Sequence, residues 1–82
     1  MTRTTLSVAI STTPFPTTQI TLASVTGMTT AMLILVDGEY MKPTAINTTS
    51  LIVDVIRGQN GTSAQQHGAG TAVQFGTPDE FS

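Results

Sequence analysis

His67 is the only imidazole in the chain and the one side chain suited to moving protons near neutrality, so the search for chemistry starts there. A Ser/His/Asp arrangement around it needs Ser63 together with Asp54 or Asp79, and no sharp nucleophile turn frames Ser63. The expected role is instead that of a loop histidine that hydrogen-bonds backbone or packs on a neighbour. Asp37 and Glu39 stand two residues apart and can share one face of a strand. As a general acid and base they need a cleft, and a chain of 82 residues has little room for one. Turn chemistry is expected of Asp37, and an ion pair with Lys42 or Arg57 of Glu39. The pair falls short of the about six to eight oxygens that calcium takes. One histidine without cysteine cannot build a zinc cluster either. Gly58-Gln59-Asn60-Gly61-Thr62 looks like a phosphate loop but lacks the lysine and the following helix that such loops use, so it reads as a hairpin turn. Gly68-Ala69-Gly70 lets two backbones pass closely and needs no ligand. No catalytic residue, metal, cofactor or small-molecule substrate is therefore expected.

The elements that carry these residues follow from the hydrophobic period. Leu6, Val8 and Ile10 alternate with Ser7 and Ala9; Ile20 and Leu22 with Gln19 and Thr21; Leu51, Val53 and Val55 with Ile52 and Asp54. Period two over β-branched residues predicts half-buried strands. They are placed near 4–10, 18–23, 31–36, 39–46, 50–57 and 71–75. Thr62 to Ala69 is bracketed by glycines and can hold one helical turn at most. Asp37-Gly38 between two apolar runs predicts a two-residue hairpin. Asn47-Thr48-Thr49 makes the next connection, and Asn60-Gly61 favours positive φ. Pro14 and Pro16 flank Phe15 and predict an extended, unpaired corner. Phe15 itself has two readings, core filler or protein–protein anchor. The fold class expected is all-β: a small antiparallel β-barrel or thin sandwich of five to six short strands. A single domain over 6–75 is expected between a polar N-terminal arm, 1–5, and a C-terminal tail, 76–82, in which Phe81 is a second candidate anchor or simply disordered.

Composition narrows the partners. The chain is 10% charged against about 25% for an ordinary globular protein. Threonine, with 17 residues, fills the gap. Residues 1–78 balance Arg3, Lys42 and Arg57 against Asp37, Glu39 and Asp54, which leaves no electrostatic footprint for phosphate and argues against nucleic acid. The longest apolar run, Ala31 to Val36, is far short of a helical membrane span, and no membrane partner is expected. With no disulfide possible, a domain this small has association as its remaining source of stability. A threonine-rich surface is cheap to dehydrate against a partner. The candidate interface is Thr2, Arg3, Thr4 and Thr5 of the arm with Phe15 and Phe81.

One stretch is similar to a known family. Leu35-Val36-Asp37-Gly38-Glu39-Tyr40-Met41, followed by Val53-Asp54-Val55-Ile56-Arg57-Gly58-Gln59-Asn60-Gly61-Thr62 and then Ala64, His67, Gly70 and Ala72-Val73, resembles a β-domain of tailed-bacteriophage structural proteins. Asp37, Gly38, Arg57, Gly58, Asn60, Gly61, His67 and Gly70 are then its structural turn motif. The match covers residues 33–73. Lys42-Pro43 departs from it, and the proline implies a bulge or an edge position. The resemblance implies a virion component made in the host bacterial cytoplasm. An 82-residue chain opening on methionine is read as a free-standing protein, and such small proteins resemble head decoration, or cement, proteins. These bind the outer capsid surface, clamp the major capsid protein lattice and are often homo-oligomers, trimers above all. The alternative is a tail, neck or baseplate component or a receptor- or glycan-binding host-attachment module.

Overall fold

The computed structural model describes residues 1–13 and 15–81. Six strands form one antiparallel sheet: β1 (Thr2–Thr5), β2 (Gln19–Thr21), β3 (Leu33–Val36), β4 (Glu39–Ile46), β5 (Ile52–Gln59) and β6 (Ala72–Gly76). A single 3-10 turn, Pro78–Phe81, follows. The spatial order is β1-β6-β3-β4-β5-β2, curled into a half-barrel. The all-β expectation holds, with β2 to β6 near their predicted places and the first strand displaced toward the N-terminus.

The period-two pattern sorts side chains between the two faces. Ile20, Ile34, Val36, Met41, Val53, Val73 and Phe75 point inward, where Leu6 and Leu22 join them, each nearly or fully buried. Asp37-Gly38 joins β3 to β4 with φ of 44° and 86°, the double positive φ of a type I′ hairpin. Between β4 and β5, Asn47 Oδ1 accepts the amides of Thr49 and Ser50 at 2.9 Å each. Asn60 and Gly61 also have positive φ, 57° and 80°, and Thr62 N–H closes their turn on Gln59 O at 3.0 Å.

β4 and β5 pair with two register shifts. Thr44 is the extra residue on β4, and Arg57 with Gly58 face Met41 alone on β5. Pro43 lies beside Thr44 and beyond the reach of β3, which pairs only with Glu39–Met41. Both implications of the proline therefore hold: it sits at a bulge, and on the β3 side it has no neighbour to which an N–H would be owed.

The expected N-terminal arm needs correction. Thr2, Arg3, Thr4 and Thr5 form β1, paired to β6 from Thr2↔Phe75 to Thr5↔Ala72. Threonine is β-branched and suits a strand even where no apolar alternation advertises one. The predicted strand 4–10 is broken after Thr5, yet Leu6–Ile10 still pairs on both sides. Leu6 bridges Leu22, with Ser7 N–H to Thr21 O at 2.9 Å and Ala23 N–H to Thr5 O at 3.0 Å. On its other side, Ile10 and His67 exchange backbone hydrogen bonds. This segment draws β1 and β2, the two edges of the sheet, together.

The tail is likewise ordered over its described part. Glu80 accepts the Thr77 amide at 3.1 Å in a capping-box arrangement with Pro78 at the first helical position. Phe81 stands edge-on to Tyr40, centroids 5.4 Å apart at 86°. Ser82 and Pro14, the latter half of the expected proline corner, lie outside the described residues.

Candidate functional site

Glu39 opens β4, and period two puts it on the same inward face as Met41 and Pro43. Arg57 shares inward parity with Val53 and Val55 on β5. The two meet beneath the bulge. Arg57 Nε donates to Glu39 Oε2 at 2.7 Å and Nη2 to Oε1 at 3.0 Å, a bidentate pair. His67, carried over the same end by the loop after β5, brings Nε2 to 2.8 Å from Oε1. The amides of Gly58 and Gln65 add bonds of 3.1 and 2.9 Å. Glu39 is 0% exposed, and the side chains of Arg57 and His67 are 4% and 1% exposed.

Every donor of the guanidinium is used. Beyond the two bonds to Glu39, Nη1 donates to Thr17 O at 2.9 Å and Ser11 O at 3.3 Å, and Nη2 to Gln65 O at 2.6 Å. An arginine has five N–H groups, and this one has five acceptors. The carboxylate in turn accepts five bonds. Burial alone would raise the Glu39 pKa. The Arg57 pair, with the bonds from Gln65, His67 and Gly58, outweighs it and holds the carboxyl at about 2 against an ordinary 4.5. An ionised carboxylate only accepts, so His67 Nε2 carries a proton. His67 Nδ1 is buried and makes no hydrogen bond among the described residues.

Several residues of the stretch that carries the resemblance have structural tasks. Gly58, at φ 61°, allows the bulge, and a Cβ there would stand 3.2 Å from both Ala64 N and Thr62 O. Thr62 Oγ1 donates to Gln59 O at 2.6 Å and accepts Tyr40 N–H at 3.0 Å, supplying a link between β4 and β5 beside the interrupted ladder. Gly70 N–H reaches Leu6 O at 2.7 Å. Asp37 stays in the hairpin turn, as expected.

Chemically the cluster is closed. Glu39 has neither a spare lone pair nor exposed surface with which to take a proton from a bound molecule. The sequence reading anticipated Glu39 with Arg57 but not their burial, nor His67 as the third member. Parity was the available signal, since Glu39, Met41, Val53, Val55 and Arg57 fall on one face. Lys42, the other partner considered, donates to Thr30 O at 2.8 Å instead.

Phe15 is 79% exposed, which overturns its reading as a core filler. Phe81 packs on Tyr40, and Thr2–Thr5 lie along β1, whose start meets the Pro78–Phe81 turn through Met1 and Glu80. A surface depression of 530 Å³, lined by Gln19, Ile46, Asn47, Ile52 and Asp54 among others, lies away from the Glu39 cluster. Among the described residues no group of three or more His, Cys, Asp or Glu is placed to hold a metal. No helix there is long and apolar enough to cross a membrane. Comparison with family models, curated proteins and solved structures found no match to this chain.

Proposed function

We propose that this protein is a structural component of a tailed-bacteriophage virion, a head decoration protein that binds the outer capsid surface and stabilises the major capsid protein lattice. The observation that carries the reading is the closed Glu39–Arg57–His67 cluster. The residues that carry the resemblance to the virion β-domain bond to one another inside the fold, which supports reading that stretch as scaffold and the surface as the seat of function. That surface suits burial: it is rich in threonine and nearly neutral, and it exposes Phe15, Val8 and Ile56. A small domain gains stability from what it binds, and repetition over a lattice multiplies a modest contact.

The test is uptake. Purified empty capsids mixed with the protein should bind it in fixed stoichiometry to the major capsid protein and resist heat better afterwards. No uptake rejects the proposal; binding to tails alone, at a few copies per particle, turns it toward the tail or attachment reading.

A further inference from the structure

The buried cluster reaches through Arg57 Nη1 to the backbone of a surface loop. Ser11 and Thr17 are the two ends of a loop, tied to each other by Thr17 N–H to Ser11 O at 3.0 Å and Ser11 N–H to Thr17 Oγ1 at 3.2 Å. Both carbonyls are also gripped by Arg57 Nη1, so the loop base is fastened to the ion pair in the barrel interior. The loop carries Phe15, the most exposed large apolar side chain of the described residues at 79%. An exposed phenyl ring costs solubility and adds nothing to this core. Held on a pinned base, it loses little further freedom on binding, which favours affinity.

The chemistry around it defines the partner. No residue from Thr4 to Val36 has an ionisable side chain, so the loop itself offers no charge for a partner to match, and the carboxylate across from β2, Asp54, is held by Gln19 Nε2 at 2.9 Å. We propose that Arg57 fixes the Ser11 and Thr17 ends of this loop so that Phe15 anchors the protein in an uncharged apolar pocket of a partner protein. This rests on the decoration reading, in which the partner surface is the capsid.

The experiment measures binding of the full-length protein to purified empty capsids. Phe15→Ala should keep the wild-type melting temperature and lose about 30-fold or more in affinity, the scale of an aromatic hot spot. Thr17→Val removes the hydroxyl that accepts the Ser11 amide at the loop base and should weaken binding several-fold with Phe15 intact, and wild-type affinity in this variant overturns the preorganisation. Affinity should change little between low and high salt, because no charges are matched. Wild-type binding with an undiminished Phe15→Ala overturns the anchor and leaves the decoration reading standing. Steep salt dependence overturns the uncharged pocket. Failure of the wild type itself to bind removes the decoration reading, and the anchor with it.

Discussion

The segment Leu6–Ile10 is sealed to the rest of the sheet at two places by two chemistries. At Leu6 the seal is apolar: Leu6 and Leu22 bury against each other and the core, with backbone bonds on either side. At Ile10 it is ionic, because the strand mate is His67, whose side chain ends on the Glu39–Arg57 pair. Apolar burial is non-directional and tolerates rearrangement. A saturated buried ion pair fixes which carbonyl meets which N–H, and it fails badly when one member is lost. The first seal supplies stability. The second holds Ser11 and Thr17 and, through Gln65 and His67, the loop 60–70, where little apolar content is available.

The comparison breaks most sharply at Arg57. Arg57→Ala strands a buried carboxylate and releases both loops, and should cost about 3–5 kcal/mol in denaturant unfolding. Leu22→Ala should cost about 3 kcal/mol, at the other seal and by cavity formation. The two losses differ in pH dependence. Glu39 is held below its unfolded value, so its contribution is fully present above about pH 4.5 and is lost as pH falls through about 2. The interval corresponds to about 3 kcal/mol. Leu22→Ala should keep that acid limb, whereas Glu39→Gln should flatten it; an unchanged limb in Glu39→Gln would mean that the cluster does not govern acid unfolding. The smallest effect is expected at Phe81→Ala, about 1 kcal/mol for the edge-on contact with Tyr40.

Much of the apolar seal was legible in the sequence, and little of the ionic one. Ile20, Leu22, Val53 and Val55 announce themselves by alternation, and Asp37-Gly38 and Asn60-Gly61 by the φ their turns require. Thr2–Thr5 gave no such signal. Their alternation sets Thr2 and Thr4 against Arg3 and Thr5, polar on both faces, and the strand that pairs them, Ala72–Gly76, lies at the far end of the sequence. Glu39 was legible as an ion-pair partner of Lys42 or Arg57 but not as a buried one, because an isolated carboxylate almost never enters a core. What takes it there is the meeting of Arg57, His67 and two loop amides, and of these the sequence pointed only to Arg57. The carbonyls of Ser11 and Thr17 carry no side-chain information at all, so the loop's attachment to Arg57 could not be read from composition.

The folding back of both ends has a practical consequence. The amino group of Met1 stands 3.5 Å from Glu80 Oε1, so Met1 and the 3-10 turn Pro78–Phe81 meet at one corner of the half-barrel. A short glycine-serine bridge can join these ends, and the chain can be reopened between Asn47 and Ser50, an exposed hairpin connection. Such a circular permutant would present new termini at the β4–β5 hairpin, giving a fused cargo a second point of departure from the same domain.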